Sequence, residues 1–194
     1  MNLADLHMYL RYGEKTVYLQ FLKHFAHLDF TGRRADVNPE LRGYEGCYSV
    51  SDLLRSREIG SADSILDIGC GKGLFLYYAS RFPFGKIDGI EYSGELARQA
   101  AVNMKSLSDK RIHVYHKDAR QFSDYGKYNY FFVNNPFGPD VMRAVVLKIK
   151  RSHSADKKKL IVIYQFPFSQ NVFLEEGFQL EYDHFPNCLL TFQG

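Results

Sequence analysis

The stretch that decides the fold is ILDIGCGKGLFL at residues 65–76. An apolar run interrupted by one aspartate leads into three glycines at alternate positions, and apolar residues then resume. This pattern predicts a short buried strand, a tight loop and a helix. Glycine permits positive φ and has no Cβ to keep a ligand away from the backbone. The following helix would point its N-terminus at the same place, so the loop is a candidate ligand site.

Strand-like and helix-like segments alternate through most of the chain after residue 60. Such alternation predicts a mostly parallel sheet with helices on both faces. The last two strand-like segments, residues 177–185 and 187–193, are separated by a single proline, so they predict an antiparallel hairpin. We therefore expect an α/β fold with seven strands.

The N-terminal part of the sequence differs from the rest. Apolar residues at three- and four-residue spacing predict an amphipathic helix over residues 3–28, broken near Gly13, and residues 49–60 predict a second helix. We expect residues 1–60 to form a helical extension that covers the candidate ligand site. Residues 61–194 would form the core, and the two parts would pack as one compact domain.

Composition narrows the function classes. The chain has 194 residues, 45% hydrophobic residues and a net charge of +3, which favours one folded domain over disorder. This charge is too small to indicate nucleic-acid binding by itself. A basic run at residues 148–159 predicts a solvated helix end and loop, with a patch for an anionic partner as the alternative.

Three scattered cysteines, Cys47, Cys70 and Cys188, predict reduced thiols with neither a disulfide framework nor a zinc site. We expect no metal. No apolar run approaches the length of a membrane span, and the first residues do not resemble a signal peptide. The expected location is therefore cytoplasmic, with no membrane partner.

Two well-known phosphate motifs do not fit the glycine loop. A P-loop needs a Lys followed by Ser or Thr, whereas Lys72 stands between Gly71 and Gly73. A dinucleotide fingerprint needs a sixth-position glycine counted from Gly69, and that position is Leu74. A glycine-rich turn without any ligand is the remaining plain alternative.

The segment LDIGCGKG resembles the first motif of class I S-adenosylmethionine-dependent methyltransferases. The resemblance implies that this loop binds S-adenosylmethionine. It assigns to the binding set Asp67, Gly69, Cys70, Gly71 and Gly73. The aspartate would hold the loop and the amino-acid end of the cofactor, and the cysteine would be a small filler without a nucleophilic role.

Two later segments, DGIEYS and YHKDAR, resemble the second- and third-strand motifs of the same family. The resemblance implies that Glu91 accepts hydrogen bonds from both ribose hydroxyls, with Tyr92 beside it. It also implies that Asp118 accepts from the adenine amino group and that Ala119 donates its backbone N–H. The alternatives are an exposed strand-end acid for Glu91 and a turn or cap residue for Asp118.

The segment VNNPFG resembles the fourth-strand motif of amine-directed members, which read Asn, Asp or Ser, then Pro-Pro, then an aromatic. Asn134, Pro136 and Phe137 fit this motif, and Asn135 replaces its first proline. Asn134 would hold an amine at the methyl group, and Phe137 would stack on a flat acceptor. FFVNNPFGPDV also resembles histone-lysine methyltransferases that lack a SET domain. An ordinary turn is the alternative.

Further residues are candidates for the acceptor site or its chemistry. Two segments would line the acceptor site, one before the core and one after the fifth strand. The alternative is that they only pack against the rest of the protein. Their candidate residues are Tyr44, Glu45, Tyr48, Phe166, Pro167 and Phe168. An oxygen acceptor would need a base, for which the candidates are His7, His24, His27, His113, His116, His153 and His184.

The expected function is methyl transfer from S-adenosylmethionine, with nitrogen favoured over a hydroxyl oxygen as the acceptor atom. A cofactor-binding module without activity and a nucleotide-dependent oxidoreductase are the rival functions. The acceptor is a protein, an RNA or a small molecule, and the sequence does not indicate an oligomeric state.

Overall fold

The structure is a computed structural model that describes residues 3–34, 43–153 and 158–193, with side chains from residue 13 onward except those of 33, 34 and 45. Helices and strands alternate along most of this length. The elements are α1 (Leu3–Phe25), β1 (Arg33–Arg34), β2 (Tyr44–Glu45), α2 (Ser51–Arg55), β3 (Ser64–Ile68), α3 (Leu74–Ala79), β4 (Lys86–Glu91), α4 (Gly94–Ser106), β5 (Ile112–His116), a 3₁₀ turn (Tyr125–Lys127), β6 (Tyr130–Val133), α5 (Pro139–Ser152), β7 (Leu160–Gln165), α6 (Gln170–Glu175), β8 (Gln179–His184) and β9 (Asn187–Phe192).

One seven-stranded sheet runs through the protein in the order β5-β4-β3-β6-β7-β9-β8. The strands from β5 to β7 are parallel, and β9 runs antiparallel to both β7 and β8. The expected α/β class, seven strands and final hairpin are therefore confirmed. The order of strands reverses between β3 and β6, which creates the crevice where ligands bind in open sheets of this kind.

Each face of the sheet carries an apolar core. On one face Ile65 and Phe132 pack with α3 and α4, and on the other Leu66 and Phe131 pack with α5 and α6. Neighbouring residues of β3 and β6 point to opposite faces, as the pleat of a strand requires. The Phe132 ring stacks on Phe75 of α3 at 3.8 Å between centroids. This contact fixes α3 against the sheet just after the glycine loop.

The N-terminal extension shares one of these cores. Leu22 of α1, Phe30 and Leu54 of α2 are almost fully buried in the cluster that contains β3 and α3. The opposite side of α1 exposes a second apolar row, which comprises Val17, Phe21 and Phe25. The described helices include none that is long and apolar enough to cross a membrane.

Several local expectations were wrong. The first helix runs without a break through Gly13, where an added Cβ would meet nothing within 4 Å. The second helix spans only Ser51–Arg55, five residues of the predicted twelve. The short strands β1 and β2 and the helix α6 were not expected.

Candidate functional site

The loop between β3 and α3 needs glycine for its backbone conformation. Gly69, Gly71 and Gly73 have φ of 81°, 54° and 84°, in the left-handed region that other residues rarely adopt. The N–H groups of Gly69 and Cys70 both donate to the carbonyl of Ile90, at 2.9 and 3.0 Å. The loop is therefore anchored to the carboxyl end of β4.

The three glycines also have three different neighbours. A Cβ added to Gly69 would lie 2.5 Å from the Cβ of Pro136, and one added to Gly71 would lie 2.4 Å from the ring of Tyr44. A Cβ added to Gly73 would instead face Met104 of α4 at 3.2 Å. The lack of a Cβ therefore lets three different parts of the protein approach the loop closely: the Pro136 loop at Gly69, the N-terminal segment at Gly71 and helix α4 at Gly73.

We expect Gly73→Ala to lower the free energy of unfolding by about 1–2 kcal/mol, because alanine is strained at this φ. Cofactor affinity should stay unchanged, since Gly73 does not line the cavity described below. Urea unfolding and calorimetric titration measure the two quantities. Gly60→Ala is the matched control, because Gly60 has no left-handed φ and no atom within 4 Å of an added Cβ. A large loss of affinity in Gly73→Ala would show that this residue contacts the cofactor.

Two acidic side chains lie beside the loop. Glu91 Oε2 accepts from the N–H of Gly71 at 2.8 Å, and Oε1 accepts from the N–H of Ser93, also at 2.8 Å. Asp67 is 2% exposed, and its burial, together with the charge of Glu91, raises the pKa of its carboxyl well above the ordinary value. Glu91 therefore holds the loop in shape, whereas burial and the nearby charge of Glu91 disfavour the ionised form of Asp67.

The third-strand segment forms a turn. Asp118 Oδ1 accepts from the N–H of Arg120 at 2.8 Å, and its Oδ2 lies 2.9 Å from the Arg120 guanidinium. Hydrogen bonding to Arg120 lowers the pKa of the Asp118 carboxyl, which is therefore held as a carboxylate. The turn role that was considered as the alternative for Asp118 is present, and Asp118 is also one of the residues that line the cavity.

The NNPF loop follows β6. Asn135 has φ 45°, a value closed to proline, whose ring holds φ near −65°. This loop therefore differs in conformation from the Pro-Pro form of the motif, because a proline at position 135 could not adopt the φ that Asn135 has. Phe137 is 4% exposed and packs with the α5 face of the sheet, and it also belongs to the wall of the cavity described below.

All these segments surround one cavity of about 970 Å³, counting the part open to solvent. Every predicted catalytic or cofactor-binding residue lines it except Gly73. Tyr44 lines it as well, whereas Tyr48 and the 166–168 segment do not, and the side chain of Glu45 lies outside the described residues. No histidine described by the structure is in its wall.

Sequence reasoning missed the apolar part of the wall and two cations. The missed apolar residues are Leu74, Phe75, Ile90, Leu96, Phe132 and Val141. Lys117 and Arg120 flank the predicted pair Asp118 and Ala119, so proximity in sequence was the signal that could have found them. Val141 lies on α5, and only the packing of that helix brings it to the cavity.

The basic run has local partners where it is described. Lys150 pairs with Glu176 at 3.0 Å, and Lys159 pairs with Glu181 at 3.3 Å. Residues 154–157 of this run lie outside the described part of the chain. These ion pairs fit the expected solvated helix end better than a patch for an anionic partner. All three cysteines are free and buried.

Comparisons with known proteins agree with this geometry. Residues 65–154 match a family model described as "Methyltransferase domain". A putative methyltransferase from Escherichia coli has 17% identity and a TM-score of 0.59, over 84% of this chain and 98% of that one. A SAM-dependent methyltransferase from Aquifex aeolicus has 15% identity and a TM-score of 0.56, over 72% and 87%.

A putative S-adenosyl-L-methionine-dependent methyltransferase from Methanococcus maripaludis has 16% identity and a TM-score of 0.58, over 74% of this chain and 83% of that one. At such identities the likeness concerns the fold. No curated protein matches the sequence.

Proposed function

We propose that this chain is a class I S-adenosylmethionine-dependent methyltransferase, as the match to a methyltransferase domain supports, and that it transfers the methyl group to a nitrogen atom at the NNPF loop. The observation that carries the proposal is the close approach of Gly69 to Pro136. A Cβ added to Gly69 would clash with the proline ring. Because of this contact, the loop expected to bind the methyl donor and the loop that carries Asn134 border the same cavity.

The residues that line the cavity fit S-adenosylmethionine. Adjacent ribose hydroxyls are donors, and the Glu91 carboxylate at the end of β4 is an acceptor for both. Asp118 would accept from the adenine amino group, and Ala119 would donate its backbone N–H to the ring. Tyr92 and Cys70 complete the wall around the nucleoside.

Asp67 suits the amino-acid end of the cofactor. Its carboxyl is buried, and its negative charge is disfavoured by that burial and by Glu91. A nearby ammonium group lowers the cost of a buried carboxylate, because opposite charges at short range favour each other's charged form. We therefore assign Asp67 to the cofactor ammonium and not to the transferred methyl.

The cofactor supplies a methyl group already activated by its sulfonium, so the protein's task is alignment. Asn134 would accept hydrogen bonds from the acceptor nitrogen through its side-chain oxygen and backbone carbonyl, and this aims the nitrogen lone pair at the methyl carbon. Pro136 stiffens the loop, and Phe137 supports it from the core. Among the described residues, the cavity wall has no histidine that could act as a base for a hydroxyl acceptor.

The N-terminal extension completes this arrangement. Residues 1–60 would cover the cofactor, residues 61–194 would carry the methyltransferase core, and the whole would act in the cytoplasm. The contact of Tyr44 with Gly71 supports the covering role. Lys15 also donates to the carbonyl of Gly46, which ties α1 to the segment that follows Tyr44.

The test combines binding and turnover. S-adenosylmethionine and its demethylated product should each raise the melting temperature, because ligands that bind only the folded state stabilise it; NADH should not. Tritiated methyl donor should label a fraction of extract from cells that lack the gene. Tight binding of both forms without label in any fraction would favour a cofactor-binding module without activity. Protection by NADH alone would favour an oxidoreductase.

A further inference from the structure

Two residues other than glycine adopt left-handed backbone conformations on neighbouring strand ends. Asn135 has φ 45° and Phe166 has φ 51°. Val133 of β6 pairs with Tyr164 of β7. Asn135 lies two residues after Val133 and Phe166 two residues after Tyr164, so both lie at the same level of the sheet. A bulky residue rarely adopts this conformation, and such strain persists where surrounding contacts impose it, often at functional sites.

Backbone hydrogen bonds hold Phe166 in place from both sides. Its N–H donates to the carbonyl of Pro186 at 2.6 Å, and its own carbonyl accepts from the N–H of Phe168 at 2.8 Å. The Phe166 ring contacts those of Tyr48 and Phe185, with centroids 5.9 and 5.7 Å away. Phe185 is 57% exposed. We call Tyr48, Phe166 and Phe185 the aromatic edge.

A buried glutamine fixes this edge. Gln165 is 0% exposed; its Oε1 accepts from the N–H of Tyr48 at 2.7 Å, and its Nε2 donates to Asn187 Oδ1 at 2.8 Å. A buried amide is stable only when its polar atoms are paired. Here the partners belong to the N-terminal segment and to β9. The aromatic edge is therefore assembled in advance of any ligand.

The Asn135 amide is oriented by a second set of contacts. The N–H of Ser169 donates to the Tyr164 hydroxyl at 3.2 Å, and that hydroxyl lies 3.5 Å from Asn135 Oδ1. The hydroxyl can donate to the amide oxygen over this long distance, and the amide nitrogen then lies on the side away from Tyr164. An oriented amide reads the hydrogen-bonding edge of a nucleobase well, because it presents both a donor and an acceptor.

Two observations limit the chemical class of the acceptor. The aromatic edge offers a flat acceptor more exposed ring surface than Phe137 does, since Phe185 is 57% exposed and Phe137 is 4% exposed. The Lys15 ammonium lies 4.4 Å from the centroid of the Tyr48 ring. A lysine or arginine side chain of a protein would meet this positive charge at the aromatic edge, whereas a neutral base on a polyanionic strand would not be repelled.

The aromatic edge and Asn135 lie outside the cavity wall, but Asn135 stands between the wall residues Asn134 and Pro136, and Phe166 follows the neighbouring strand at the same level. We propose that the aromatic edge and the Asn135 amide extend the acceptor site beyond that wall, and that the acceptor is a nucleobase in an unpaired nucleic-acid strand. The inference rests on the proposed function, nitrogen methylation at this site. Unpaired bases stack on aromatic side chains and present their edges, whereas a duplex conceals both. The base nitrogen bonds to the methyl carbon as the carbon–sulfur bond breaks, sulfur keeps the electron pair, and a proton from the nitrogen passes to water.

The test follows tritiated methyl label into four pools from cells that lack the gene: RNA, heat-denatured DNA, protein and small molecules. Label should enter a nucleic-acid pool in a nuclease-sensitive form. Phe185→Ala should lower the rate about 5- to 150-fold through loss of one stacking contact. Asn135→Gly keeps the left-handed φ without the amide and should lower the rate at least tenfold. Both variants should keep wild-type affinity for S-adenosylhomocysteine in calorimetry.

Phe25→Ala is the matched control, because Phe25 is 75% exposed on α1 and its ring packs on Phe21. It should transfer methyl groups at the wild-type rate. Label in protein or small molecules overturns this inference and leaves methyl transfer by the enzyme intact. Wild-type rates in both Phe185→Ala and Asn135→Gly also overturn it. Cofactor binding without label in any pool contradicts the inference and the proposed function together.

Discussion

Glu91→Ala is expected to raise the Kd for S-adenosylmethionine about 5- to 150-fold, which corresponds to about 1–3 kcal/mol. The carboxylate would lose its hydrogen bonds to the ribose. The loop would also lose the acceptor for the N–H groups of Gly71 and Ser93. Isothermal titration calorimetry with S-adenosylmethionine and with S-adenosylhomocysteine measures the change, which should be similar for both because they share the ribose.

The two causes can be separated. A cofactor analogue without the ribose 2′-hydroxyl should bind the wild type more weakly, and Glu91→Ala should bind it about as well as the full cofactor. If Glu91→Ala lowers affinity for both equally, the carboxylate acts through the loop alone and the ribose assignment is wrong. Glu58→Ala is the control, since Glu58 is exposed and outside the cavity wall.

Asn134→Ala is expected to lower turnover about 100-fold while the cofactor Kd changes by less than about threefold. Its amide would align the acceptor nitrogen, and displacing a reacting atom by about 1 Å already lowers the rate about 100-fold. The rate of label transfer at saturating cofactor, measured with the labelled pool as acceptor, gives the first quantity. Calorimetry gives the second.

Asn171→Ala provides the matched comparison, because Asn171 is an exposed asparagine on α6 outside the cavity wall. It should retain wild-type turnover. A variant of Asn134 that loses cofactor affinity but keeps its maximal rate would assign this residue to the cofactor and remove it from the acceptor. Such a split is informative because turnover and affinity report different states of the reaction.

The order of elements in the core was predictable because each element has a local signature. Gly69 and Gly71 mark the end of β3, Glu91 is the last residue of β4, and Asp118 follows β5. The carboxyl ends of parallel strands lie at one edge, so these positions converge whatever the details of packing. Serine is a residue that often begins helices, and the hydroxyl of Ser93 accepts from the N–H of Leu96 at the start of α4.

Contacts between distant loops had no such signature. Tyr44 lies against Gly71, and no spacing in the sequence links the two. Asparagine tolerates left-handed backbone, but the sequence did not show that Asn135 uses this freedom. Phe137 lines the cavity, but the sequence did not show that it also packs with α5. The unexpected α6 has six residues, too few for a clear helical period.

The position of β9 separates the two halves of the site during biosynthesis. β9 comes last in chain order among the described strands, but it lies between β7 and β8, and its Asn187 binds Gln165. Glu91 and Asp118, which are proposed to bind the nucleoside, lie at the ends of β4 and β5, and these strands leave the ribosome earlier. We therefore expect Gln165 and the aromatic edge that it fixes to become ordered only after the strands that carry the two acids have been synthesised.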